Sequence, residues 1–239
     1  KDELPTIIAD SRMPEEAKKN LKKLGNVLFI NPTSMTYNSI SSHPDIFFFQ
    51  KDDALIYAPN APKRIVKELK KRKIKLIEGK KEVGKKYPET VPYNAVGIGN
   101  LLIHNLKHTD ETILSSYENH INVNQGYTRC NLLALNENAF ITSDVGIFNA
   151  VNSQQTTDNS LYPHESLVET YGRTSEYISV LYIDPKQIKL ESQKNGFFPG
   201  CCGVWRNNLI VCGSTKNLKE KTELDKFLKD NNFNLIELY

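Results

Sequence analysis

Apolar and polar positions along the chain follow a pattern that recurs. The run Phe47-Phe48-Phe49 meets polar residues from Gln50 to Asp53, and a second apolar run, Ala54-Leu55-Ile56-Tyr57-Ala58, follows. A basic helix from Pro62 and a closing run Ile74-Lys75-Leu76-Ile77 complete the unit. Near the C-terminus the order returns as Cys202-Gly203-Val204-Trp205, a turn at Arg206 to Asn208, Leu209-Ile210-Val211-Cys212, a helix over Leu218 to Leu228, and Asn234-Leu235-Ile236. Short apolar runs bounded by turn residues read as strands, and the 3.6-residue spacing between them reads as helix. Two more copies lie between these, one from Asn131 to Leu135 turning into Ala139-Phe140-Ile141-Thr142, the other over Val96 to His104 with a helix behind it. Self-similarity at this scale marks a repeat architecture in which each unit buries its face on its neighbours.

The helix ends are signalled separately. Pro14 starts a first helix with Ala17, Leu21 and Leu24 on one face, and Gly25 is read as its stop. Thr109 before Asp110 and Glu111, Asp144 before Val145, and Asn217 with Glu220 three residues on are read as N-terminal caps. A fifth unit is expected to join Tyr177 to Ile183 and Ile188 to Leu190 with the N-terminal strand Thr6-Ile7-Ile8-Ala9. The polar stretch from Asn152 to Arg173 has little periodicity and reads as one long surface loop, open to proteases and placed to act as a lid. Nothing in the composition marks a linker, so the 239 residues are read as a single domain.

Composition narrows the function classes. With 39% hydrophobic and 25% charged residues the chain is ordinary for a globular protein. No apolar run approaches the roughly 20 residues that cross a membrane. Lys1-Asp2-Glu3-Leu4 spells a retention signal that is read only at a C-terminus and shows no signal-peptide apolar region; with cysteines that lack a secreted disulfide pattern, a cytoplasmic setting is expected. Cys130, Cys201, Cys202 and Cys212 have neither a disulfide framework nor zinc-ligand spacing, and the five histidines are scattered. No metal and no cofactor are expected. The basic run from Lys63 to Lys86 has the charge to meet phosphate backbones or the ribosome. It is also the solvated face of a helix whose Ile65, Val66 and Leu69 point inward, and it lacks interleaved aromatics for base stacking. Gly97-Ile98-Gly99 lacks the third glycine of a dinucleotide fingerprint.

Three stretches carry a family resemblance: Ser42-His43-Pro44-Asp45-Ile46-Phe47-Phe48; Gln125-Gly126-Tyr127-Thr128-Arg129-Cys130-Asn131 with Ile141-Thr142-Ser143-Asp144; and Gly196-Phe197-Phe198-Pro199-Gly200-Cys201-Cys202-Gly203. Together with the repeat they make the chain similar to an uncharacterised bacterial family of the pentein, or guanidino-group-modifying, superfamily. The resemblance implies a five-fold pseudo-symmetric α/β propeller of strand-strand-helix-strand units, with a small-molecule site at the mouth of the axis. The catalytic members attack a guanidinium carbon with a cysteine of the last unit, use a histidine as acid and base, and hold the cation with carboxylates.

Carried onto this chain, the resemblance makes Cys201 or Cys202 the nucleophile, Asp45 a carboxylate for the cation and Asp144 a second acidic group, beside its reading as a cap. Asn94, Gln125, Arg129, Cys130 and Asn131 would line the mouth. The third unit departs from the enzymes, with Tyr127, Arg129 and Cys130 where they carry a histidine. His43 can take that role only if the fold brings it to the thiol. Two readings follow: a cysteine-dependent hydrolase, deiminase or amidinotransferase on guanidine or amidine C–N bonds, and a non-catalytic propeller that binds a ligand or a macromolecule, as ribosome anti-association factors of that fold do. A glycine-flanked cysteine pair is also explained by a tight turn with small buried residues.

Overall fold

The computed structural model describes residues 4–158, 178–189 and 195–239. Four three-stranded sheets share one wiring. Each is an antiparallel hairpin whose second strand crosses through a helix to a parallel third. The copies are β3 (Phe48–Lys51), β4 (Ala54–Tyr57), α3 (Lys63–Lys71) and β5 (Lys75–Glu78); β6 (Val96–Ile98), β7 (Leu101–His104), α4 (Glu111–Leu114) and β8 (Asn119–Asn122); β9 (Leu132–Asn136), β10 (Ala139–Thr142), α6 (Val145–Asp158) and β11 (Ser179–Tyr182); and β12 (Cys202–Trp205), β13 (Asn208–Cys212), α7 (Lys221–Asp230) and β14 (Asn234–Leu238). All four repeats expected from the hydrophobic pattern are present.

The fifth sheet differs from the expected one. Strand β1 (Thr6–Asp10) pairs in parallel with β2 (Asn26–Ile30) across helix α1 (Glu15–Leu24), Ile8 opposite Leu28. The run after Ile178 does not join it; β11 completes the sheet of β9 and β10, with Phe140 opposite Val180. Ile188 and Lys189 lie in no strand. An apolar run does not say which neighbour it will pair with, and the shorter crossover won here.

First strands of successive units touch in order, β3 on β6, β6 on β9 and β9 on β12, so the turns leading into them are neighbours. Two of these turns are single helical turns, α2 (Pro44–Phe47) and α5 (Thr128–Asn131), and the last is a 3-10 turn over Phe198–Cys201. Ile46 and Phe47 are wholly buried with Ile56, Ile65 and Leu69, each worth about 1.5–3 kcal/mol of transfer free energy. The basic face of α3 points outward, as its periodicity predicts: Ile65 and Leu69 are buried while Lys70, Lys71 and Arg72 are exposed.

Several helix ends use other chemistry than the sequence suggests. Asp144 does cap α6, its Oδ1 accepting the Ile147 amide at 2.9 Å. For α4 the cap is Asp110, accepting from Thr112 at 2.9 Å, while the Thr109 hydroxyl meets His104. The Asn217–Glu220 box does not form; Glu220 accepts from Gln187 instead, at 2.5 Å. Gly25 is extended rather than left-handed, and it is glycine because a Cβ would lie 2.6 Å from the Pro5 carbonyl oxygen. Residues 152–158 of the expected loop continue helix α6 instead; 159–173 lie outside the described residues.

Candidate functional site

The turns before β3, β6, β9 and β12 bring distant residues together. Asp45 sits in the first turn of α2, and its Oδ2 accepts from the Cys130 thiol of α5 at 3.3 Å. Asn94 ties both turns: its Nδ2 donates to the Asp45 carbonyl at 3.3 Å and to Cys130 Sγ at 3.5 Å, and its Oδ1 accepts from the Cys130 amide at 3.3 Å. A ring nitrogen of His43, a carboxylate oxygen of Asp45 and Cys130 Sγ all lie within 4.8 Å of one another. On the far side, Gly200 packs on Cys130 so closely that a Cβ there would be 3.2 Å from the Cys130 carbonyl oxygen. The His43, Asp45, Asn94 and Cys130 side chains form one cluster, and the Gly200 turn abuts it.

Asp10, at the end of β1, adds a carboxylate that the sequence reading missed. Its Oδ2 lies 3.7 Å from His43 Nε2 and 2.7 Å from Arg12 Nη2. Burial works against its charge, yet hydrogen bonds from the Arg12 side chain and amide outweigh that and hold the carboxyl below its usual range. The signal was present, an apolar strand ending on Asp10-Ser11-Arg12, but nothing in it says that β1 ends beside His43.

The cysteines are not poised as thiolates. Burial pushes Cys130 well up, and the Asp45 carboxylate adds to the effect. Burial also raises Cys201, to about 11, and Cys202 well above the usual range. Cys202 Sγ donates to the Phe198 carbonyl at 3.1 Å and is buried. Cys201 is the more accessible of the pair, and its electrostatic neighbour is Cys212, raised by burial and by Asp10.

The remaining residues singled out in the sequence have other surroundings. Arg129 donates from Nη1 to the Pro199 carbonyl at 3.0 Å and from Nη2 to the Cys202 carbonyl at 2.8 Å, so its cation clamps the last turn. Asn131 is buried, donates to the Tyr127 carbonyl at 2.9 Å, and finds no partner for its Oδ1 among the described residues. Gln125 and Asp144 bond to each other at 3.2 Å and line a separate open cavity of about 460 Å³ with Tyr87, Asn122 and Asn124. No described helix is long and apolar enough to cross a membrane.

Comparison with known proteins agrees with this architecture. No curated protein matches the chain. Among solved structures it is similar to DDAH from Pseudomonas aeruginosa in complex with citrulline, at TM-score 0.56 and 10% identity over 99% of this chain and 92% of that one. It is similar to SxtG, an amidinotransferase from Microseira wollei, at 0.53 and 14% identity over 99% and 89%. It is also similar to agmatine deiminase from C. jejuni, at 0.52 and 13% identity over 98% and 75%. At such identities the likeness is one of fold. A family model described as a family of unknown function (DUF6873) matches residues 8–239, and the chain belongs to that family and has the α/β fold of the pentein superfamily.

Proposed function

We propose that the chain is a five-fold α/β propeller acting on a guanidine or amidine C–N bond, with Cys130 rather than Cys201 or Cys202 as the nucleophile. One observation carries the reading: the Cys130 thiol lies 3.3 Å from the Asp45 carboxylate, in a cluster that also holds His43. A nucleophilic thiol needs a base in hydrogen-bond reach and a group that orients that base. Cys130 has Asp45 in that reach, His43 in the same cluster as a further base and Asp10 beside His43 to orient it, whereas among the described residues Cys202 donates to a backbone carbonyl. That the solved structures of this fold include a deiminase and an amidinotransferase supports the substrate class.

The chemistry follows from charge. A resonance-stabilised cation is held by Asp45 and by the ionised Asp10, and its arrival beside Sγ offsets the burial that keeps the thiol neutral. His43 takes the thiol proton as the sulfur adds to the central carbon and gives that proton to the departing amine, so a carbon–sulfur adduct remains. Water, deprotonated by the same imidazole, releases the product and the thiol; an acceptor amine in its place gives transfer.

A screen for ammonia, urea or citrulline release from arginine-like compounds tests the reading. Cys130→Ser should abolish turnover and Cys201→Ser should spare it. Loss with Cys201→Ser alone would move the nucleophile to the last turn. The raised thiols favour a second reading, a propeller that binds without turnover: a guanidine compound would then raise the melting temperature and release no product.

A further inference from the structure

We infer that His43, Asp45 and Cys130 form a binding site for one thiophilic divalent cation of the zinc class, with a coordination position left open. Zinc spacing rules look for ligands near one another in sequence, and here the fold brings them from residues 43, 45 and 130. An imidazole nitrogen, a carboxylate oxygen and a sulfur within 4.8 Å of one another, on side chains of three different chemistries, make a mixed N, O, S donor set. That set suits zinc and its neighbours, whereas magnesium and calcium take oxygen alone.

The distances are those a metal would need. Zinc bonds of about 2.3 Å to sulfur and about 2.0 Å to oxygen at a tetrahedral angle put the two donors about 3.5 Å apart. Cys130 Sγ and Asp45 Oδ2 are 3.3 Å apart already. The remaining slack falls on His43, whose side chain is 36% exposed. Three protein ligands among the described residues, with water or a substrate in the fourth position, would make the arrangement of a reactive rather than a purely structural zinc.

An outer layer is also in place. Metal-bound histidines commonly turn their second nitrogen to a carboxylate, which fixes ring and tautomer. His43 Nε2 lies 3.7 Å from Asp10 Oδ2, and Arg12 holds Asp10 in turn, so an ion on Nδ1 would find this outer carboxylate in place. Asn94 Nδ2 lies 3.5 Å from Sγ and supports charge on the sulfur.

The site is independent of turnover, but ion and guanidinium would compete for the same groups. Chelator-treated, dialysed protein is titrated with cobalt(II) and then zinc(II). One equivalent of cobalt should give a thiolate-to-cobalt charge-transfer band with intense tetrahedral visible bands, and zinc should bleach both. Cys130→Ser should remove the charge-transfer band. His43→Ala, at a half-exposed position outside any helix, should keep the circular dichroism and weaken zinc at least about 100-fold, while Asp10→Asn costs about 10–100-fold as an outer partner. Cys201→Ala should bind as the parent does. No band with the parent, or a band that survives Cys130→Ser, overturns the inference. A cobalt band without guanidine turnover defeats only the catalytic reading, and turnover indifferent to zinc without a band defeats only this one.

Discussion

Replacing Arg129 separates a structural cation from a ligand-binding one. Its guanidinium makes two bonds to backbone carbonyls of the last turn, 3.0 Å to Pro199 and 2.8 Å to Cys202. Hydrogen bonds from a charged donor contribute about 1.5–3 kcal/mol each, and the lower end suits a part-buried pair, so Arg129→Ala should cost about 3 kcal/mol. For a chain of this size each kcal/mol moves the melting temperature by about 2–4 °C, giving a drop of about 6–12 °C. Lysine offers a point charge that cannot bridge both carbonyls in the plane of a guanidinium, so Arg129→Lys should lose about half as much. Thermal unfolding by circular dichroism supplies the number, and the iodoacetamide rate of Cys201 reports the turn itself, which should loosen in step. An unchanged melting temperature in Arg129→Ala together with weakened binding of a guanidine or amidine ligand would refute the clamp.

Other perturbations have a sign set by the structure. Asp110 is buried and accepts from the Lys80 and Lys81 amides at 2.8 and 2.7 Å as well as capping α4, so Asp110→Ala should destabilise by about 3–5 kcal/mol in urea titration, and Asp110→Asn by less. Burial opposes the charge of Asp110, the Lys81 and Lys80 amides outweigh it, and its carboxyl sits below the usual range. Its contribution is therefore present above the unfolded value of about 4 and lost as pH falls through the lower folded one, so Asp110→Asn should flatten the acid limb of stability against pH. His104 is pushed down to about 4, first by burial, while Nε2 donates to the Gly126 carbonyl at 2.9 Å. Below pH 6.5 the unfolded chain takes this proton first, so about 3 kcal/mol should be lost between pH 6.5 and 4, and His104→Gln should remove that part of the slope. Iodoacetamide at neutral pH should label Cys201 faster than buried Cys130 and Cys202, and all three more slowly than a free thiol, by peptide mass analysis; rapid labelling of Cys130 would show that the cluster is open.

Much of the fold was legible because each unit repeats a local pattern. Phe47–Phe49, Ala54–Ala58 and the helix after Pro62 alternate at periods set by backbone geometry, and the copies at 131, 202 and 96 obey them equally. What failed was long-range pairing. Nothing in Thr6–Asp10 distinguishes β2 from β11 as a partner, since both are short and apolar. The site was half legible for the same reason. His43, Asp45, Asn94 and Cys130 stand at equivalent turns and could be named; that the thiol facing the carboxylate belongs to Cys130 and not to the glycine-flanked pair is a matter of side-chain direction. The role of Arg129 was unreadable too, because its partners are carbonyl groups, which every residue has.

The same packing explains why the glycine-rich turn and the thiol sit on different units. At Gly200 the last turn lies against the Cys130 backbone, where a Cβ would come within 3.2 Å of the carbonyl oxygen. A larger residue would crowd the Phe198–Cys201 turn against α5 and strain the Arg129 clamp, whose carbonyl partners are Pro199 within that turn and Cys202 directly after it. The glycine therefore lets the last turn pack on the Cys130 backbone, while Sγ leaves α5 toward Asp45. Cys202 is spent on the Phe198 carbonyl inside that same turn. Under the proposed function, the Cys201-Cys202 pair would serve the packing of this turn while Cys130 carries the chemistry.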